Sequence, residues 1–172
     1  MNAKSILFFA AIFLFVVPGG IGFAGESPKK QSAGANSLEG TYKLVSRKLP
    51  DGRMLTGEEV VGLLTFTKTY RNFNVAWKDA SGKYFTYSLV SSYKLTPTEY
   101  TETILFSSMN DEIGGKGVTN VLNGQSQTVP VTRKGGRIEF KMPFDPVSAV
   151  FEGGKFIGTN EGVFVDTWEK LK

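Results

Sequence analysis

Residues 37–46 read Ser37-Leu38-Glu39-Gly40-Thr41-Tyr42-Lys43-Leu44-Val45-Ser46. Leu38, Tyr42 and Leu44 share one parity, and Thr41, Lys43, Val45 and Arg47 share the other. A period of two marks a strand with one face in a core and the other in water, so Leu38–Lys48 is expected to open a β domain. Pro50-Asp51-Gly52-Arg53 follows, with Pro and Gly where a β-turn favours them.

Working towards the C-terminus, the same alternation recurs. Val61–Tyr70 is a second strand, and Gly62 near its start suggests a bulge or a bend at a barrel corner. Asn72–Lys78 alternates through Phe73, Val75 and Trp77. Tyr84–Leu95 places Phe85, Tyr87, Leu89, Tyr93 and Leu95 on one face. Thr96-Pro97-Thr98 then turns the chain into Glu99–Phe106, which places Tyr100, Ile104 and Phe106 on one face. These two strands are spaced as an antiparallel hairpin. Ser107–Gln125 is the least regular part and is expected as a loop, with room for a weak strand at Val118–Leu122. Ser126–Arg133 contains Pro130, which confines it to an edge or a bulge. Arg137–Phe144 alternates through Ile138, Phe140 and Met142. Gly153-Gly154 makes a hairpin of its flanks, and Gly162–Leu171 is the last strand. Roughly nine or ten short, evenly spaced strands call for a sandwich or an up-and-down barrel. Closure removes exposed edges and the turns are of hairpin length, so a single antiparallel barrel over 37–172 is preferred.

Towards the N-terminus the composition changes. Lys4 is the only charge before Gly25, Ile6–Val17 is an unbroken apolar run, and Pro18-Gly19-Gly20 breaks it ahead of Gly22-Phe23-Ala24. That is the pattern of a cleavable signal peptide over 1–24. The run is shorter than the roughly 20 apolar residues of a spanning helix, so no stable membrane insertion is expected after cleavage. Residues 25–36 are small and polar and are expected as a flexible spacer. The chain is thus expected to be exported, either periplasmic or secreted.

Composition narrows the chemistry. The 172 residues include no His and no Cys. An imidazole base, a thiolate nucleophile, a disulfide and a thiolate or imidazole zinc site are all excluded. The net charge of +4 is modest and its basic residues form no patch interleaved with aromatics, so no nucleic-acid partner is expected. Glu58-Glu59 and Asp111-Glu112 are neighbours that a strand would point to opposite faces, which makes poor acid–base dyads. Asp79 and Asp145 fall at turns, where Asp commonly bonds the local backbone. Gly114-Gly115-Lys116-Gly117 lacks the spacing of a phosphate loop. No catalytic residue, metal ligand or cofactor is expected.

Leu38-Glu39-Gly40-Thr41-Tyr42-Lys43-Leu44-Val45-Ser46, Gly62-Leu63-Leu64-Thr65-Phe66 and the closing Phe164-Val165-Asp166-Thr167-Trp168-Glu169-Lys170 together resemble the two ends of bacterial lipocalin-like domains. The resemblance implies a calycin-type barrel of eight to ten strands. The family carries Gly-x-Trp where this chain has Gly40-Thr41-Tyr42. A tyrosine there requires a partner for its hydroxyl, and Lys170 is the basic residue placed to pack on its ring.

A barrel of this size can hold one small molecule. The expected ligand is small and apolar or amphipathic, and the candidate cavity residues are Phe85, Tyr87, Tyr93, Tyr100, Phe106, Phe140 and Trp168. Arg133, in phase with Val129 and Val131, is a candidate carboxylate anchor. The alternative is a barrel filled by these same aromatics, whose loops contact a protein partner.

Overall fold

A computed structural model describes residues 37–172. The expected signal peptide (1–24) and spacer (25–36) lie outside the described residues. The described chain has no helix. Its strands are β1 (Gly40–Lys48), β2 (Met54–Leu55), β3 (Val60–Phe66), β4 (Tyr70–Lys78), β5 (Tyr84–Leu95), β6 (Glu99–Asp111), β7 (Gly117–Val121), β8 (Ser126–Pro130), β9 (Thr132–Lys134), β10 (Arg137–Lys141), β11 (Val147–Glu152), β12 (Lys155–Asn160) and β13 (Phe164–Lys170).

The strands form one antiparallel, curled, barrel-like sheet in the order β7-β6-β5-β4-β3-β1-β13-β12-β11-β10-β9. Strands adjacent in the chain are mostly adjacent in the sheet, as short hairpin connections require. The first strand takes the last as its other neighbour, with Tyr42 opposite Lys170 and Leu44 opposite Trp168. The segment 126–134 bonds at both ends of this path. Its first half, β8, pairs with β6 from Glu99 to Thr103, and its second half, β9, pairs with β10. Between them Val131 N–H donates to the Thr98 carbonyl at 2.8 Å. Pro130, which has no N–H for a ladder, is the last residue before the change of partner.

The opening strand anchors one end of the interior. Tyr42 is buried, and its hydroxyl donates to the Leu38 carbonyl at 3.0 Å, so the expected partner is local backbone. Lys170 Nζ lies 5.8 Å from the Tyr42 ring centre. Gly40 has a φ of 136°, and a Cβ there would strike the Lys170 side chain. The positive φ favours glycine at this position, while the Lys170 side chain, flexible at its end, can move aside from a Cβ.

Two β-bulges decide what faces inward. On β1, Leu44 pairs with Trp168 but Ser46 pairs with Thr167, so Val45 is an extra residue. A one-residue slip flips every following side chain. Arg47, expected on the outer face with Val45, is instead buried inside. On β6, Val90 pairs with Phe106 but Ser91 pairs with Ile104, so Leu105 is extra. Phe106, expected in the cavity, lies on the outer face opposite Val90, while Ser107 and Asp111 turn inward. The expected loop over 107–125 is also shorter than its polarity suggests, because β6 runs on to Asp111 and β7 pairs with it.

Gly62 does not mark a bulge, since the β3–β4 register runs unbroken through its pairing with Val75. It faces inward beneath Trp168, whose Cη2 would be 2.5 Å from a Cβ at this position, with Leu44 Cβ at 3.1 Å. Gly62→Val is therefore expected to cost about 1–3 kcal/mol through overpacking, read as a lowered midpoint in urea unfolding.

Beyond Tyr42 the interior is filled. Tyr93, Tyr100, Phe140, Phe151 and Phe156 form a continuous stack with successive ring-centre separations of 5.7, 4.4, 5.9 and 4.7 Å. Offset aromatic contacts of this kind add to the apolar burial itself.

Candidate ligand cavity

A cavity of about 180 Å³ remains where β1, β4, β5, β12 and β13 meet the turn between β10 and β11. It is partly open to solvent. Its aromatic wall comes from the inward parity of four strands: Phe73 and Trp77 of β4, Phe85 and Tyr87 of β5, Phe156 of β12, and Phe164 and Trp168 of β13. Period-two alternation alone puts them there.

The same parity carries charges inside. Arg47 Nε and Nη2 each donate to Asp166 at 2.7 Å, in a bidentate pair that is 2% and 3% exposed. The Arg47 guanidinium lies 4.1 Å from the Trp77 ring centre and 4.1 Å from that of Phe164. Phe85 stacks on the far side of Trp77 at 4.1 Å. The result is a layered Phe85–Trp77–Arg47–Phe164 sandwich, with the guanidinium edge held by Asp166. Burial pushes the Asp166 carboxyl above the usual aspartate value, and Arg47 pulls against that rise.

A second buried cation, Arg71, is in phase with Phe73, Val75 and Trp77. Its Nη1 donates to Glu102 Oε1 at 2.9 Å, and the Ser91 hydroxyl donates to the same oxygen. Glu102 is 1% exposed. Burial alone would lower the Arg71 pKa, but the charge of Glu102, followed by Tyr100 and Asp145, outweighs it and raises the value. Arg71 Nε is buried and makes no hydrogen bond.

Asp145 completes the polar part of the wall. It makes no backbone bond of the kind its turn position suggests; that role belongs to Asp79, which accepts from the N–H groups of Ser81 and Lys83. Asp145 faces the cavity with no salt bridge and no hydrogen bond among the described residues. Burial raises its pKa, Arg71 on β4 pulls the value down, and Glu102 on β6 raises it further. Tyr87 on β5 is pushed up to about 12, by burial first and then by the charge of Asp145. A carboxyl whose folded pKa is raised destabilises the fold as pH climbs from the unfolded value through the folded one. Asp145→Asn should therefore melt higher than the parent at neutral pH. The difference should vanish in melts below the unfolded value of about 3.8.

The structure sorts the candidates read from the sequence. Phe85, Tyr87 and Trp168 line the cavity. Tyr93, Tyr100 and Phe140 belong to the filled stack. Phe106 is outside it, for the register reason given above. Arg133 faces the same way as its partner Ile138 but does not line the cavity, and its Nη2 donates to the Thr96 carbonyl at 3.2 Å. The sequence reasoning missed Arg47, Arg71, Asp145 and Asp166. Among the described residues no three His, Cys, Asp or Glu side chains are grouped to hold a metal.

No protein-family model matches the chain, and no curated protein does. Among solved structures it is similar to an uncharacterised protein from Bacteroides eggerthii DSM 20697, at 16% identity over 78% of this chain and 100% of that one, with a TM-score of 0.35.

Proposed function

We propose that this chain is an exported binding protein that takes a small amphipathic molecule into the aromatic cavity. The observation that carries this reading is the combination, in one cavity partly open to solvent, of seven aromatic side chains with inward-facing charged groups. A core built only for stability has little use for buried ions, since a buried ion pair often does no better than apolar residues of the same volume. Concave, mostly apolar sites with a few convergent polar groups are the usual form of small-molecule pockets. Export rests on the sequence of Met1–Ala24.

The chain has two tryptophans, Trp77 and Trp168, and both line the cavity. A ligand entering there should change intrinsic fluorescence saturably. Val147→Phe, which adds a ring to the cavity wall, should abolish that change while the protein still melts cooperatively. If a broad panel of one-ring and two-ring compounds gives no saturable change, the binding reading is wrong. The competing reading is a protein partner met through the β6–β7 region, where Val118 and Leu122 are 67% and 80% exposed.

A further inference from the structure

Size, charge and wall chemistry together narrow the occupant. A cavity of about 150 Å³ lined by apolar side chains is known to admit benzene. At about 180 Å³ this one suits a single ring with a short substituent, not an acyl chain.

The charges do not balance. Arg47 is matched by Asp166 through two bonds, and Arg71 is matched by Glu102. Asp145 is left over, facing the cavity with no cation within salt-bridge distance. A ligand carboxylate would add a second negative charge beside Asp145, whereas an ammonium would pair with the one present. Aromatic ring faces carry negative potential that attracts cations, although among the lining rings Trp77 is already covered on both faces, by Phe85 and by Arg47. The fold already houses one cation in the same manner. Arg47 lies between Trp77 and Phe164 with a carboxylate at its edge.

We infer that the cavity's ligand is a small organic cation, a one-ring amine whose ammonium meets Asp145 while its ring lies against the aromatic wall. This rests on the binding reading above and specifies its ligand class.

The test uses three probes of matched shape: 2-phenylethylamine, 2-phenylethanol and 3-phenylpropionate. Each is titrated at neutral pH into the protein and into Asp145→Asn, with tryptophan fluorescence and calorimetry as readouts. The amine is expected to bind about tenfold or more tighter than the alcohol, as a charge-assisted hydrogen bond implies, with the carboxylate weakest. Asp145→Asn should weaken the amine by about tenfold or more and erase its advantage over the alcohol. Equal binding of amine and alcohol to the parent overturns the inference and leaves the binding reading standing. Tightest binding by 3-phenylpropionate also overturns it, and makes Arg71 the anchor. Saturable binding by none of the three, together with a silent wider panel, removes both.

Discussion

Asp166→Ala is expected to destabilise the protein by about 3–5 kcal/mol, the usual cost of removing one member of a buried ion pair. The reason lies in what remains. Arg47 is 2% exposed, its edge has lost both acceptors, and Trp77 and Phe164 hold its two faces so that it cannot swing into water. Urea unfolding monitored by circular dichroism would show the loss as a lowered midpoint with little change in slope. Joint replacement of the pair by Arg47→Met and Asp166→Leu should cost much less than Asp166→Ala alone, because no charge is stranded. If the double variant proves as unstable as the single one, the loss comes from packing and the electrostatic account is wrong.

Trp168→Ala should cost a comparable amount, about 3–5 kcal/mol, as large-to-small changes at buried aromatics do. Trp168 is 1% exposed and bridges two halves of the interior, with Phe73 at 5.6 Å on one side and Phe156 at 5.8 Å on the other. Its ring also covers Gly62. The penalty of Gly62→Val should accordingly shrink when Trp168 is already alanine, since the added methyls then enter the space the ring has left. A double-mutant cycle reads that coupling directly. Additive losses would place the strain of Gly62→Val against Leu44 instead.

The parity pattern that makes these predictions possible is largely visible in the sequence. Phe85, Tyr87, Leu89 and Tyr93 face inward on β5 as their spacing requires, and the Gly135-Gly136 and Gly153-Gly154 hairpins fall where two glycines permit positive φ at both turn positions. The buried charges were partly legible too. Arg71 is in phase with Phe73, Glu102 with Tyr100, and Asp166 with Trp168. Their inward direction follows from period two once a charged residue is allowed to obey it. The bulges at Val45 and Leu105 were not legible, because each depends on register against a partner strand distant in sequence and leaves no local mark. They account for Arg47 and Phe106. Asp145 was hidden differently: a turn aspartate usually bonds its own backbone, and only the three-dimensional path of the 142–147 turn aims it at the cavity.

The adjacency of β1 and β13 sets an order of events in folding. Arg47 and Asp166 are 119 residues apart in the chain, yet they meet through the pairing of the first strand with the last. The loop-closure entropy of that contact must be overcome before it can form, so it is expected among the later contacts to be made. An interaction absent from the transition state governs the rate of unfolding and leaves the rate of folding nearly untouched. The Arg47–Asp166 pair between the two strands is thus expected to act as a latch, slowing unfolding while leaving the rate of folding nearly untouched.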